Sequence, residues 1–430
     1  MKLKKWLFVC FSIFLALLIT ACSSDKTSNT SEESGSKEEQ ITLNFWMFGA
    51  TGYEELAKEY EKEHQNIKIK IKTSETADHH NNLFTALSAG SGAPDIATLE
   101  VDQLDRFRDA QDRFVNLYDM KADEVKNQYL DWKWKIAEND DGKFLMGLPT
   151  DIGPKGLYYR IDVFEAAGLP TKPDEVSALI TTPEQFKQAA LQIKEKTGKP
   201  MVASMEMMYR AQLDALEKSY FDKEGNLLIE QPGNGVKKAY DLAVDMNKLG
   251  VVGNFAMWSP EWANAVNDGS FAVELGAAWL KGWMEGNAPD AVGKFRVATL
   301  PKEYSGNWGG SYIAIPKETK HAQEAYDFIK WLVSPENQLK SFKSNGLFPS
   351  SPVVYDMPEF KEASDEFFGG QSTQTVFALS AQKIGMVYKG KDYTSVHDEI
   401  LAALVNVQGG ADSEEEWHAA IKRIKTKLNR

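Results

Sequence analysis

Ile41-Thr42-Leu43-Asn44-Phe45-Trp46, running into Met47-Phe48-Gly49-Ala50-Thr51-Gly52, is the stretch from which the fold is read. Its apolar residues suit a buried strand, and the glycines end it. Tyr53, Leu56, Ala57 and Tyr60 then recur at helical spacing on a charged background. Ile67, Ile69 and Ile71 alternate with lysines, which predicts a strand with one wet face. A helix carrying Leu83, Phe84 and Leu87 follows and stops at Gly90-Ser91-Gly92, and Ala93-Pro94-Asp95-Ile96-Ala97-Thr98-Leu99 leads into a third strand. Strand and helix in alternation imply an α/β fold with a parallel sheet and right-handed crossovers. Ligands of such sheets bind at the carboxyl ends of the strands. That rule puts Trp46 to Thr51 and Glu100 to Gln103 on one rim.

Upstream of this stretch, Lys2, Lys4 and Lys5 precede an apolar run from Trp6 to Ile19, the charged and greasy segments of a secretory leader. The run is short of the ~20 residues that span a bilayer comfortably. Thr20-Ala21-Cys22 resembles the lipobox of bacterial lipoproteins, and that resemblance implies lipidation of the Cys22 thiol and cleavage just before it, with residues 1–21 removed. Residues 23–40 hold no apolar side chain, so 22–40 reads as a lipidated cysteine followed by a disordered tether. The two cysteines, Cys10 and Cys22, leave no disulfide and no cysteine-based metal or nucleophile site in the mature chain.

The formal charge of −13 becomes −16 once the three leader lysines are gone. Such a surface repels nucleic acid and anionic lipid, and no basic patch offsets it. Hydrophobic residues at 43% mark a packed globular body, long enough for two or three domains. His79-His80 lacks a spaced third ligand and reads as a polar helix start, so no metal is expected. There is no phosphate-binding G-x-x-x-x-G-K-[ST] loop and no G-x-S-x-G nucleophile elbow, and no cofactor is expected.

Several motifs together resemble the carbohydrate class of extracellular solute-binding proteins of ABC importers, the maltose-binding-protein-like family. They are Trp46 ending the first strand, Gly92-Ala93-Pro94-Asp95-Ile96, Gly147-Leu148-Pro149 ahead of Leu157-Tyr158-Tyr159-Arg160, the glycine-tryptophan stretch at 276–283, and Trp308-Gly309-Gly310 ahead of Ile313-Ala314-Ile315-Pro316. The resemblance implies a type II periplasmic-binding-protein-like fold, two α/β lobes with the ligand cleft between them. Lobe one would take residues 41–150 and 301–346, and lobe two residues 151–300 and 347–430. Crossings are expected near 150–156, 300–310 and 346–349. Within lobe two, Thr182-Pro183-Glu184-Gln185 is a capping box. A final helix capped by Ser413 is expected to carry Trp417, Ile421 and Ile424.

A sugar offers faces of C–H groups and a belt of hydroxyls, so its receptor needs flat aromatic surface plus carboxylates and amides. Trp279 matches the family's stacking tryptophan, and Trp308 stands at the expected hinge beside two glycines. Trp258 reads equally as cleft lip or helix staple, while Trp46 and Phe48 end the first strand. Asp102 and Gln103 align with a family Asp-Arg pair that grips hydroxyls, the arginine having become glutamine. Glu100 neighbours them, Asp151 flanks the first crossing, and Glu206 and Tyr209 lie where the family places contacts from lobe two. Asp95 reads as structural, fixing the turn after Pro94 through a local backbone bond.

The reading is of a monomeric, membrane-tethered receptor outside the cell. It would bind a neutral oligosaccharide, with arabino- or xylo-oligosaccharide binders the nearest in pattern, and pass it to ABC permease subunits. The alternatives are a surface glycoside hydrolase, which needs two suitably spaced carboxylates, and a binding protein for a non-sugar solute such as a polyamine.

Overall fold

The computed structural model describes residues 40–385 and 387–429. The leader and Cys22 lie outside the described residues. Among the described residues no helix is long and apolar enough to cross a membrane.

β1 (Ile41–Phe48) sends Leu43, Phe45 and Met47 into a core shared with Tyr53, Leu56 and Tyr60 of α1 (Tyr53–Glu63). β2 (Ile67–Ser74) runs parallel to β1 at the sheet edge, with Lys68, Lys70 and Lys72 exposed. Edge lysines of this kind oppose pairing with another chain. α2 (Thr76–Ala89) returns the chain to β3 (Ile96–Glu100), parallel to β1 on its other side and buried from Ile96 to Leu99. α3 (Val101–Arg108) starts directly where β3 stops, and α4 (Asp131–Ala137) leads on to β4 (Gly147–Pro149). The sheet order is β2-β1-β3, then the late strand β9 (Ser311–Ala314), then β4, with β9 antiparallel to both of its neighbours.

The chain leaves this lobe through β5 (Asp151–Ile152) and enters the second with β6 (Lys155–Arg160). Here α5 (Ile161–Ala166), α6 (Pro173–Leu179), α7 (Pro183–Thr197), α8 (Met205–Leu213), α9 (Gly235–Lys248) and α10 (Pro260–Asp268) precede β7 (Val273–Ala277), α11 (Leu280–Asn287) and β8 (Phe295–Ala298). β6 pairs antiparallel with both β7 and β8. The sheet is covered on both faces. Leu157, Tyr159, Leu275 and Ala298 join one cluster with α7, α8 and α9, and Tyr158, Phe295 and Val297 join another with α10 and α11.

After β9, α12 (Ala322–Leu332) closes the first core, placing Phe328 edge-on to Phe45. α13 (Pro335–Asn345) bridges the lobes: Leu339 and Phe342 pack with Phe348 and Phe360, while Ser341 donates to the Thr51 carbonyl at 2.5 Å. β10 (Phe348–Pro349) pairs antiparallel with β5, and α14 (Pro358–Lys361), α15 (Thr373–Ala381), α16 (Tyr393–Gln408) and α17 (Ser413–Lys427) complete the second lobe. The architecture is the two-lobed α/β fold, with three strands of chain side by side between the lobes.

Local chemistry follows the sequence with three corrections. Thr182 caps α7 by accepting from the Gln185 amide at 3.2 Å, but the Gln185 side chain reaches back to the Thr181 amide, one residue earlier than a capping box requires. α17 is capped by Asp412, which accepts from the amides of Glu414 and Glu415, so Ser413 is its first residue. Asp95 is structural, but through long-range bonds: Oδ2 accepts from the Asn44 amide at 2.8 Å and Oδ1 from the Thr319 hydroxyl at 2.6 Å. It thereby ties β1 to the segment after β9.

Candidate ligand-binding cleft

Three extended segments meet between the lobes, and they approach too closely for side chains at some positions. The Trp308 amide donates to the Gly153 carbonyl at 2.8 Å, and the Gly153 amide to Asn307 Oδ1 at 2.8 Å. A Cβ on Gly153 would stand 1.8 Å from the Trp308 carbonyl oxygen. Gly310 adopts φ of 93°, and a Cβ there would stand 2.6 Å from the Asp151 carbonyl oxygen. Glycine is needed at both for the crossings to lie in contact.

Trp279 follows β7 and donates its indole N–H to that same Trp308 carbonyl at 2.7 Å. Trp258 stacks on it with ring centres 5.9 Å apart and planes 22° from parallel. Trp308 meets Trp279 edge-on at 4.9 Å, and Trp262 and Trp283 stack on each other at 4.0 Å, both edge-on to Trp258. The outermost ring is Trp258, 52% exposed and held at φ of 69°, immediately before Ser259 caps α10. Trp308 is only 8% exposed and Trp262 is fully buried. The buried Glu274 accepts the Trp262 N–H at 2.6 Å, and burial pushes its carboxyl up to about 8. Five tryptophans therefore form one wall, with Trp258 and the half-buried Trp279 towards solvent.

Opposite lie the acids at the end of β3. His80 accepts the Glu100 amide on Nε2 at 3.0 Å and contacts the Thr76 carbonyl through Nδ1 at 2.7 Å, which fixes its proton on Nδ1. Burial lowers His80 to about 3, so it stays neutral. His79 bonds the Thr98 carbonyl at 2.8 Å. Both histidines thus serve the strand end, and among the described residues no group of three His, Cys, Asp or Glu is placed to hold a metal. Glu100 Oε2 caps α3 by accepting the Asp102 amide at 2.8 Å, while Oε1 lies 3.9 Å from where a Gly309 Cβ would stand, next to the Trp279 indole nitrogen. Burial, then the charge of Asp102, raises Glu100 well above the usual carboxylate range.

Asp102 meets the second lobe. Lys389 Nζ lies 3.2 Å from its Oδ1 and Arg210 Nη2 3.8 Å from its Oδ2. Gln103 donates to the Thr394 hydroxyl at 3.0 Å, the Gly390 amide to Asp105 at 2.8 Å, and Lys391 pairs with Asp109 at 3.0 Å. One side of α3 is thus seated on residues 389–394. Arg210 is held by His397, which accepts on Nε2 at 2.8 Å, and its guanidinium lies 4.6 Å over the Trp308 ring. Beneath it Asp214 pairs with Lys155 at 3.4 Å. Burial alone would raise Asp214, but Arg210, Lys155 and Lys389 outweigh it and hold the carboxyl below its ordinary range. Burial, then Arg210 and Lys389, keeps His397 well below its ordinary value, so it remains a neutral acceptor.

Of the residues singled out in the sequence, Trp258, Trp279, Trp308, Glu100 and Asp102 converge here. Gln103 faces the second lobe but bonds Thr394. Glu206 opens α8 one turn before Arg210, its carboxyl raised by burial. Asp151 is 8% exposed and ties the crossing to β9, accepting on Oδ1 from the Thr150 hydroxyl and the Ser311 amide. Phe48 packs on His79 and His80, behind Glu100, and Trp46 lies under Lys72 with the ammonium 4.5 Å from the ring centre. Tyr209 differs from the expectation: it is fully buried and its hydroxyl is taken up by that of Tyr220 at 2.7 Å, so the structure does not bring it together with the other candidates. Arg210, one residue on, is the α8 side chain that lies over Trp308 and beside Asp102. Arg210, Lys389 and His397 carried no motif.

Two inter-element cavities open on residues of this region. One of about 260 Å³ is lined by Asp105, Arg108, Glu138, Tyr388 and Lys389, and one of about 330 Å³ by Asp214, Leu300, Gly306, Ser380 and Lys383. Neither is lined by the tryptophan wall. The convergence of aromatic surface with carboxylates lies instead at Trp279 and Glu100.

Residues 49–339 match the family model of the bacterial extracellular solute-binding proteins. The chain belongs to that family. This solute-binding protein is 27% identical over 414 residues to the arabinooligosaccharide-binding protein of Bacillus subtilis, covering 91% of this chain and 92% of that one. It is 26% identical to the maltooligosaccharide ABC transporter solute-binding lipoprotein of Streptococcus pneumoniae, over 80% of each. A crystal structure of an extracellular solute-binding protein of family 1 superposes with a TM-score of 0.83 at 32% identity, covering 90% of this chain and 99% of that one. The galacto-N-biose-/lacto-N-biose I-binding protein of Bifidobacterium longum, with TM-score 0.75 at 20% identity over 90% and 97%, shares the fold.

Proposed function

We propose that this solute-binding protein captures a neutral oligosaccharide in the inter-lobe cleft and delivers it to the permease of an ABC importer, tethered to the outer face of the membrane through lipid on Cys22. The observation that carries this reading is the meeting of the Trp258–Trp279 surface with Glu100 and Asp102 across the crossings. Stacked indoles cover the C–H face of a sugar ring at small entropic cost, and carboxyl groups bond its hydroxyls. A ligand touching both lobes favours the closed arrangement by its differential affinity.

The relatives, an arabinooligosaccharide-binding protein and a maltooligosaccharide solute-binding lipoprotein, support an oligosaccharide over a monosaccharide, and the arabinooligosaccharide binder matches over the greater length. Calorimetric titration with arabino-, xylo-, malto- and galacto-trisaccharides tests it. Saturable binding of one of them, recovered unchanged, is expected. Release of smaller sugars would replace the receptor with a hydrolase, and no binding would overturn the sugar reading. Mass spectrometry of the membrane-extracted protein should find a diacylglyceryl group on Cys22.

A further inference from the structure

The buried residues of α4 are Lys133, Trp134 and Ala137, so a lysine stands beside Trp134 where packing calls for an apolar side chain. Lys133 is fully buried, and its ammonium has no hydrogen-bond partner among the described residues. Its contact is the ring of Tyr312, 3.9 Å below Nζ, while the Tyr312 hydroxyl returns a bond to the Lys133 carbonyl at 2.9 Å. Tyr312 is paired on one side with Leu99 and on the other with Pro149, the residues just before Glu100 and just before Thr150-Asp151. The ammonium therefore sits at the carboxyl ends of β3 and β4, the rim at which ligands of such sheets bind. Asp151, Glu100 and Asp102 all act on its charge, in that order of strength.

A buried ammonium that donates to nothing is costly, and a core of this size would be better served by methionine or leucine. Groups kept in such a state cluster at functional sites. Resting on the oligosaccharide reading above, we infer that Lys133 is a ligand-binding residue, donating from the floor of the cleft to a hydroxyl of the bound sugar between Glu100 and Asp151. Burial lowers its ammonium to about 8. It therefore loses its charge as pH rises through that value, and the charge-assisted bond weakens with it. The titratable and charged groups facing it are Asp151 from the crossing, Glu100 and Asp102 from the end of β3 and the start of α3, and Tyr312 from β9.

The test titrates the full chain and Lys133→Met with whichever trisaccharide of the arabino, xylo, malto and galacto panel binds most tightly, at pH values from about 6.5 to 9, alongside thermal unfolding. At pH 7 the variant should bind roughly tenfold more weakly or worse, the loss of one charge-assisted bond. Its unfolding midpoint should be unchanged or higher, and the parent's fall in affinity across pH 8 should be absent from it. Unchanged affinity in the variant, or weak binding together with a lowered midpoint and the parent's pH slope retained, would make Lys133 purely structural. Should Lys133→Met fail to fold, Lys133→Gln and the parent's own profile decide: flat parent affinity between pH 7 and 9 overturns the inference. If the parent binds no member of the panel, the oligosaccharide reading falls and this inference with it, an outcome distinct from a variant that binds like the parent.

Discussion

Replacing Gly153 by alanine tests whether the tight crossing positions the aromatic wall. The added Cβ would stand 1.8 Å from the Trp308 carbonyl oxygen, 2.7 Å from its carbon and 3.0 Å from Trp279 Nε1. Real Cβ atoms essentially never come closer than 3.0 Å, so the two segments must part by at least 1.2 Å, and the obstacle is backbone on both sides. That displacement stretches the Trp308 amide bond to Gly153 (2.8 Å) and disturbs the Trp279 bond to Trp308 (2.7 Å). Overpacking costs about 1–3 kcal/mol and each lost bond about 1 kcal/mol, while the stiffer unfolded chain returns about 0.4–1 kcal/mol. The net expectation is a loss of about 2–4 kcal/mol in guanidinium unfolding. Sugar affinity should fall too, because Trp279 loses its anchor. Gly286→Ala is the control: nothing lies within 4 Å of its Cβ, its φ is not positive, and it lies near the end of α11. It should be neutral or stabilising by about 0.5 kcal/mol. A Gly153→Ala protein within about 0.5 kcal/mol of the parent, binding sugar normally, would refute the idea that close backbone approach sets the wall.

Trp258→Ala should weaken sugar binding roughly tenfold in calorimetry, as expected for a lost stacking surface, with little change in stability because the ring is half exposed. Trp258→Gly should lose the same affinity yet gain about 1 kcal/mol in unfolding, since only glycine relieves the positive φ. Glu274 is held protonated up to about pH 8 in the folded protein but ionises near 4.5 when unfolded, so between those values the folded state carries the extra proton and stability falls as pH rises. Glu274→Gln should flatten that slope, on the order of 4 kcal/mol at 1.36 kcal/mol per pH unit, in denaturation curves taken from pH 5 to 8. Asp102→Asn should reduce sugar affinity severalfold or more, because its carboxylate faces Lys389 and Arg210 in a partly buried site.

The lobes were legible because their signals are local. Alternation in Ile67-Lys68-Ile69-Lys70-Ile71 reports a strand with one wet face, and the structure places that strand at the sheet edge. Leu43, Phe45 and Met47 report the buried face of β1 in the same way. Caps were less certain, because Asp412 and Ser413 are both good N-caps and adjacent, and the sequence does not say which takes the extended backbone. Asp95 reads from the sequence as making a local bond where the fold offers three long-range ones, since Asn44 and Thr319 come to it only through the sheet and the late return of the chain.

The site was legible in its aromatic half and obscure in its charged half, and the difference is physical. A tryptophan beside glycine after a strand already implies a ring at a sheet rim, so Trp279 and Trp308 carry their own geometry. A lysine or arginine implies solvent unless something pairs it, and the partners here come from far along the chain: Lys389 to Asp102, Arg210 to His397, Lys155 to Asp214. Their burial depends on the lobes meeting. Each of these cations lies on or beside an element whose neighbours are apolar, as Arg210 does among Met207, Met208 and Ala211. That misfit, a charge within a run of residues facing inward, was the available signal. It requires knowing which face is inward, and for α8 the same knowledge pairs Tyr209 with Tyr220 and brings Arg210 to Asp102. Because Lys389 and Arg210 meet Asp102 at the boundary between lobes, the carboxylate proposed to hold the sugar also joins the halves in the structure. A ligand that engages Asp102 must therefore share it with Lys389 and Arg210, so the energy of closing and the energy of binding are coupled through one side chain.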